Sequence, residues 1–265
     1  MKNKFHYIAF ALLLSLTACE KVIDLDLRND TGKLVIEGNI VDTLGVQTIK
    51  LTTNVPFSNT NTYPPVTGAQ VSVSDQAGNS YSFSESQSGM YTSTPFKGIA
   101  GNTYTMTALI NGKTYTASST MPTRVPLDSL SSRKHPIDGG NNKLISVHYQ
   151  DPAGIVNQYR FTMYLNNVQI PRVFANDDEF SDGRNVNFDF RLGNDDPDIH
   201  AGDKVTVEMQ CVDKTIYTYW FSFMQQSDSG PGGAVAPSNP PNNIKPVTLG
   251  YFSAHTTQTK TIIVK

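Results

Sequence analysis

The stretch Thr103–Ser119, TYTMTALINGKTYTASS, decides the fold class of this chain. Tyr104, Met106 and Ala108 alternate with threonines, and this period of two predicts a strand with one buried face. The following pair, Asn111-Gly112, favours the two-residue turn that joins antiparallel strands. The stretch therefore predicts a β-hairpin, half buried and half facing solvent.

Similar short alternating runs cover most of the chain on both sides of this hairpin. Charged residues make up only 17% of the 265 residues, and the runs are separated by turn residues such as Gly, Asn and Pro. This pattern is typical of all-β exported domains. We predict an N-terminal β-sandwich over residues 33–121, a Pro- and Gly-containing linker over 122–142, and a C-terminal β-sandwich over 143–265.

One segment of the second half has a helical period instead. Its apolar residues recur at i, i+3, i+4, i+7 and i+8: Ile216, Tyr219, Trp220, Phe223 and Met224. We predict a short helix near residues 214–225, capped at its N-terminus by Asp213. A long loop rich in Gly, Pro, Ser and Asn follows over 226–246, and a loop of this length is either disordered or functional.

The N-terminus has the features of a secretory signal peptide. Lys2 and Lys4 precede a short apolar run that is too short to span a bilayer. The stretch Leu16–Cys19, Leu-Thr-Ala-Cys, resembles the bacterial lipobox. That resemblance implies a signal peptide over 1–18, lipidation of Cys19 and a polar tether over 19–32, so that acyl chains anchor the protein in a membrane. The alternative is an ordinary signal peptide with a chance cysteine.

The net charge and the cysteine content limit the partners and the disulfides that we expect for this protein. The formal net charge is −2, which gives no reason to expect a nucleic-acid partner. Cys211 is the only cysteine besides Cys19, so lipidation of Cys19 leaves no intramolecular disulfide. Cys211 falls in phase with the apolar residues of a predicted strand, so we expect a buried, unreactive thiol.

Acidic loops in the second half raise the question of a metal. Asp177, Asp178, Glu179 and Asp182 form one cluster, and carboxylates in loops are typical Ca²⁺ ligands. The spacing does not match the Asp-x-Asp-x-Asp-Gly pattern of known calcium loops. A weak Ca²⁺ site and ordinary solvated turn residues both fit this cluster.

Catalytic motifs are missing from the sequence. It has no HExxH and no G-x-S-x-G, and no pair of carboxylates is marked as an acid/base couple, so we predict a protein that is not an enzyme. Most of its tyrosines lie in phase with apolar faces and are expected in the core. Tyr63 differs because it lies in a Pro-rich loop, so we predict that Tyr63, together with the later long loop, forms an exposed contact surface.

Several short motifs in a fixed order resemble a known family. The residues 19–25 (CEKVIDL), 34–40 (LVIEGNI), 177–183 (DDEFSDG) and 240–254 (PPNNI, then LGYFSA) resemble the lipoproteins of domain-of-unknown-function family 4249 of Bacteroidota. Residues 33–121 also resemble the prealbumin-like or carboxypeptidase-regulatory type of small sandwich, and we expect an Ig-like sandwich to follow. The family resemblance implies an outer-membrane lipoprotein, often encoded beside a TonB-dependent receptor, with no known ligand.

These observations lead to one expected function and two alternatives. We expect a lipid-anchored outer-membrane protein that acts as a non-enzymatic accessory to a TonB-dependent transport system. We expect no cofactor apart from the covalent lipid on Cys19. A surface carbohydrate- or glycan-binding module is the first alternative, and a structural or adhesive envelope protein is the second. The sequence leaves open the leaflet, the ligand, the oligomeric state and the identity of a receptor.

Overall fold

A computed structural model describes residues 31–56, 62–136, 142–193, 195–227 and 238–265. The predicted signal peptide, Cys19 and nearly all of the tether lie outside these ranges, as do residues 228–237 of the predicted long loop. Within them the chain is built from strands and a single helix, which confirms the all-β class with sandwich-like sheets. No helix in these ranges is long and apolar enough to cross a membrane.

The described elements are sixteen strands and one helix. The strands of the N-terminal half are β1 (Leu34–Val41), β2 (Thr48–Thr53), β3 (Gln70–Asp75), β4 (Ser80–Gln87), β5 (Met90–Ser93), β6 (Thr103–Ile110) and β7 (Lys113–Thr120). Then come β8 (Ser129–Lys134), β9 (Lys143–Gln150), β10 (Gln158–Leu165), β11 (Val168–Gln169), β12 (Phe174–Asp177), β13 (Asn185–Phe190) and β14 (Lys204–Cys211). Helix α1 (Lys214–Ser227) precedes β15 (Ile244–Lys245) and β16 (Leu249–Ile263).

The first core lies inside a curled sheet in the order β16-β1-β2-β5-β4-β3-β6-β7-β15. The predicted hairpin is β6–β7, with Tyr104 opposite Ser119 and with Asn111 and Gly112 at φ values of 49° and 77°. The sheet curls far enough that β7 approaches β16, where Asn243 Nδ2 donates to the carbonyls of Ser118 and Phe252. The alternating apolar residues of β6 therefore face an enclosed interior.

The second core lies between two sheets. One continues the large sheet as β11-β10-β14-β16, with β12 also paired to β10, and the other has the order β13-β9-β8. Aromatic rings dominate this core: Phe161 packs 5.6 Å from Phe190, and Tyr149 packs 4.8 Å from Tyr159, measured between ring centroids. Cys211 is buried in the same core, and burial raises the pKa of its thiol.

Strand β16 belongs to both cores. Its residues 249–255 pair in parallel with β1, and its residues 256–263 pair antiparallel with β14. The sequence pattern predicts two separate strands, 249–254 and 259–264, so the single continuous strand is a correction. The polar stretch between those two segments stays extended because both of its neighbours in the sheet supply backbone partners.

The segment predicted as a linker, 122–142, contains strand β8 and two buried side chains, Val125 and Leu127. The backbone N–H of Val125 donates to Cys211 Sγ at 3.3 Å, and the backbone N–H of Leu127 donates to Gln258 Oε1 at 2.9 Å. The first core likewise includes Ile244 and Phe252, which lie outside 33–121. The division into two independent domains stays a prediction.

The predicted helix is confirmed as α1, and its bounds extend two residues beyond 225. Asp213 Oδ1 accepts the backbone N–H of Ile216 at 3.0 Å, which is the expected N-cap bond. Ile216 and Tyr219 are buried, whereas Phe223 is 40% exposed. The apolar stripe of the helix therefore extends beyond the part that the core covers.

Candidate functional site

The exposed end of this stripe lines a groove of about 330 Å³ between helix α1, strands β1 and β2, and the segment before β15. We call it the aromatic groove. Its lining residues are Val35, Glu37, Lys50, Thr52, Tyr63, Tyr219, Phe223, Asn239, Pro240, Asn242, Leu249 and Gly250. Tyr63, predicted from the sequence as a contact residue, is 46% exposed and lies in this groove.

Backbone hydrogen bonds to β2 position Tyr63. The N–H of Thr53 donates to Pro64 O and the N–H of Val66 donates to Leu51 O, both at 2.9 Å, so this short segment runs along the end of β2. Proline lacks an N–H, and the bonds use the Pro64 carbonyl and the Val66 amide instead. Tyr63 is thus presented at the sheet edge by a segment that the sheet itself holds.

Two asparagines hold the opposite wall. Asn242 Nδ2 donates to Thr248 O at 2.6 Å, and Asn242 Oδ1 accepts the Ile244 N–H at 3.0 Å. Asn243 Oδ1 accepts the Phe252 N–H at 3.1 Å. These bonds fold residues 242–248 into a compact turn, so Pro240 is carried on a fixed backbone.

The groove combines apolar rings with one ion pair. Lys50 Nζ lies 3.5 Å from Glu37 Oε2 on neighbouring strands of the floor. Burial, with added repulsion from Tyr251 and Glu37, raises the pKa of the Tyr219 hydroxyl, so this phenol is neutral at physiological pH. A neutral aromatic wall beside a charged rim is suited to holding an apolar side chain or a ring.

A second groove, of about 630 Å³, adjoins the first and shares Asn239, Pro240, Asn242 and Leu249 with it. Its lining includes Gly32 and Lys33, near the start of the described chain, together with Val247, which is 85% exposed. The described chain therefore begins beside this second groove.

The predicted acidic cluster is arranged differently from the sequence prediction. Asp178 and Asp182 come together with Asp151, and each of the three offers one carboxylate oxygen within 4.8 Å of the others. Asp177 and Glu179 lie outside this group. Asp177 instead faces helix α1 at Tyr217. Burial raises the pKa of Tyr217, and the charge of Asp177 and its hydrogen bond with this tyrosine raise it further.

Sequence reasoning missed Asp151 as a site residue, and it placed Tyr219 and Phe223 only on the apolar stripe of the helix. Asp151 follows β9 directly and is read in the sequence as one residue of an Asp-Pro-Ala-Gly turn. Only the pairing of strands brings it next to the turn after β12. The length of the apolar stripe on α1 was the available signal for Phe223, because it exceeds what one buried face of a short helix needs.

The fold and these features define an all-β protein with sandwich-like sheets, two hydrophobic cores and an exposed aromatic groove. The chain belongs to the family described as "Domain of unknown function (DUF4249)", whose family model matches residues 20–261. A search of curated proteins found none that matches this chain.

Two solved structures are among those with detectable similarity. A segment of two fibronectin type III domains from chicken tenascin is 14% identical, with a TM-score of 0.22, over 68% of this chain and 90% of that one. The adhesin InvE of Yersinia pseudotuberculosis is 17% identical, with a TM-score of 0.23, over 69% of this chain and 57% of that one. Similarity at this level carries no argument about function.

Proposed function

We propose that this protein is a lipid-anchored, non-enzymatic accessory of a TonB-dependent transport system in the outer membrane of Bacteroidota. The aromatic groove would bind the receptor. The observation that carries the proposal is that this groove adjoins the second groove, which is lined by Gly32 and Lys33 near the start of the described chain.

The lipid anchor would strengthen the binding of the receptor by the aromatic groove. A module that is tethered near its partner meets it at a high effective concentration, so a modest contact surface is sufficient. Tyr63 and Phe223 offer partly exposed rings beside a groove of side-chain size. Aromatic residues next to a pocket are the residues that dominate protein–protein contacts.

The aromatic residues favour a protein partner over a glycan. Glycan-binding surfaces present flat, exposed rings, whereas Tyr91, Tyr104, Tyr149 and Tyr159 are buried here. The face of Trp220 is covered by the guanidinium of Arg160, 3.8 Å from the ring centroid. Tyr63 and Phe223 are partly exposed and line a groove, a geometry that suits a side chain better than a sugar platform.

The test is an affinity purification of the tagged full chain from gently solubilised outer membranes. We expect a β-barrel receptor to co-purify in near-stoichiometric amount, and a Cys19→Ala variant to lose most of it because the tether no longer raises the local concentration. A Tyr63→Ser/Phe223→Ser double variant, which keeps the anchor, should lose it as well. The matched control is Val168→Ser, which changes an apolar residue that is 70% exposed on β11, outside both grooves.

Recovery of the wild-type protein without a receptor would contradict the transport role. Equal recovery of receptor with the groove double variant and with Val168→Ser would reject the groove as the contact surface. If the soluble folded part bound glycans in an array and the double variant did not, the carbohydrate-binding alternative would replace the proposal.

A further inference from the structure

We propose that Asp151, Asp178 and Asp182 form a Ca²⁺ site that fastens the turn after β9 to the turn after β12. This site is independent of the proposed transport role and of the aromatic groove. It assigns a ligand to a cluster of which the sequence identified two members, Asp178 and Asp182, but not the third, Asp151.

The three carboxylates come from two separate turns that are already held together. The backbone N–H of Asn157 donates to Asp178 Oδ2, and the backbone N–H of Gly154 donates to Asp182 Oδ1, both at 2.7 Å. These bonds set the direction of two carboxylates. They also leave each carboxylate with a second oxygen that can turn towards a cation.

Asp151 has one carboxylate oxygen whose partner is missing among the described residues. This residue is fully buried, its Oδ1 accepts the Tyr159 hydroxyl, and its Oδ2 has no hydrogen-bond partner in the described part of the chain. A buried carboxylate oxygen without a partner is costly and calls for an explanation. Its carboxylate is one of the three whose oxygens lie within 4.8 Å of one another, so the carboxylate that carries this unsatisfied oxygen lies beside the other two acids.

The electrostatics indicate the sign of the missing group. Three carboxylates whose oxygens lie within 4.8 Å of one another repel each other when they are ionised. None of the three aspartates makes a salt bridge with a described residue. A bound cation would relieve this repulsion and satisfy Asp151 Oδ2 at once.

The donor set and its size favour Ca²⁺ among common cations. Calcium takes oxygen ligands at about 2.3–2.6 Å, so ligands on opposite sides of the ion lie up to about 5 Å apart. The separations here, within 4.8 Å, fit that limit. Mg²⁺ needs about 2.0–2.1 Å and a near-ideal octahedron, while Zn²⁺ favours His and Cys, which this group lacks. Ser181 Oγ, buried in the same turn without a partner, is a further oxygen available nearby.

The test uses the full purified chain, stripped of metal with a chelator, and two probes. Calcium titration by calorimetry should give one site per chain. Terbium, a luminescent substitute for calcium, should show emission sensitised by tyrosine, because the Tyr159 hydroxyl bonds directly to Asp151 and Tyr149 lies 4.8 Å from Tyr159. Added Ca²⁺ should then displace the terbium, and Mg²⁺ at the same concentration should not.

Two matched variants make the test specific. Asp182→Asn removes one charge at an exposed ligand position, and we expect it to weaken Ca²⁺ binding by at least about tenfold, the scale seen when groups around metal ions are lost. Glu179→Gln removes one charge in the same turn but outside the trio, and it should change the affinity by less than about twofold. Absence of both calcium heat and sensitised terbium emission in the wild-type chain would overturn the proposal. An equal loss in both variants, or displacement by Mg²⁺ as effective as by Ca²⁺, would overturn it too.

Discussion

The guanidinium carbon of Arg160 lies 3.8 Å from the centroid of the Trp220 ring, so strand β10 and helix α1 are joined by a cation–π contact. Arg160 Nη1 donates to Gln210 Oε1 at 3.0 Å, but its buried Nε has no hydrogen-bond partner among the described residues. Burial lowers the pKa of Arg160, with the nearby Tyr251 and Glu208 opposing that shift. The guanidinium stays charged, so the electron-rich face of Trp220 compensates for an incomplete set of hydrogen bonds.

We expect Trp220→Leu to lower the free energy of unfolding by about 2–4 kcal/mol, from the lost cation–π contact and lost aromatic packing. Trp220 also packs 5.0 Å from Tyr251 and 5.1 Å from Tyr219, measured between ring centroids. Urea denaturation measures this loss. Phe223→Leu, on the same helix but 40% exposed, is the control and should cost well under about 1 kcal/mol. Equal losses of unfolding free energy in the two variants would show that the Trp220 ring does not stabilise the guanidinium of Arg160.

His255 is expected to make stability depend on pH. It is 2% exposed, and its Nδ1 lies 2.9 Å from Ser253 Oγ. Burial, reinforced by the charge of Arg160, lowers its pKa from 6.5 to about 4. Below pH 6.5 the unfolded chain therefore binds a proton at this residue while the folded chain does not. The contribution of His255 to the free energy of unfolding is thus fully present above pH 6.5 and is lost as the pH falls towards 4.

This difference in pKa between the folded and unfolded chain predicts that His255 alone lowers the free energy of unfolding by about 2 kcal/mol between pH 8 and pH 5, because one pKa unit corresponds to about 1.4 kcal/mol. Urea denaturation of the wild type and of His255→Asn at both pH values isolates it, since other titrating groups are common to both proteins. His200→Asn, at an exposed position, is the control and should follow the wild type. Identical pH dependence in wild type and His255→Asn would mean that the buried ring is already protonated at pH 5.

Asp213 joins helix α1 to the first core. Its Oδ1 caps the helix at the Ile216 N–H, and its Oδ2 accepts the hydroxyl of Ser119 on β7. We expect Asp213→Ala to cost about 1–2 kcal/mol for the cap and more for the second bond. Asp213→Asn keeps an oxygen for the cap and should recover most of the loss. Urea denaturation and helical circular dichroism measure both variants, and an alanine variant as stable as the asparagine variant would exclude the capping role.

The sequence predicts the local features of this fold well. The hairpin around Asn111-Gly112, the N-cap at Asp213 and the helix that follows are all confirmed. Each depends on residues within a few positions of one another, where backbone sterics and periodicity act directly. Tyr63 is likewise found partly exposed in the groove, because its Pro-rich segment runs along the end of β2 and leaves its side chains near the surface.

The long-range features could not be predicted in the same way. Periodicity indicates which face of a strand is buried, but it does not identify the neighbouring strand. The parallel pairing of β1 with β16, with Ile36 opposite Gly250, joins the two ends of the described chain. The meeting of Asp151 with Asp178 and Asp182 also depends on strand pairing, so only two of the three members of this acidic cluster were identified from the sequence.

Gly250 allows β16 to lie beside β1, and its replacement is the sharpest test of that pairing. Its φ is +96°, and a Cβ added there would lie 2.0 Å from the carbonyl oxygen of Ile36. Gly101 has a similar φ of +86° but open space around the corresponding position. Gly101→Ala should therefore lower the free energy of unfolding by only the backbone strain, about 1–2 kcal/mol, whereas Gly250→Ala should cost at least twice as much because the two strands must also separate. Urea denaturation of both variants separates strain from clash: equal losses would mean that β1 can shift to make room and that the close approach at Gly250 is not required for the fold.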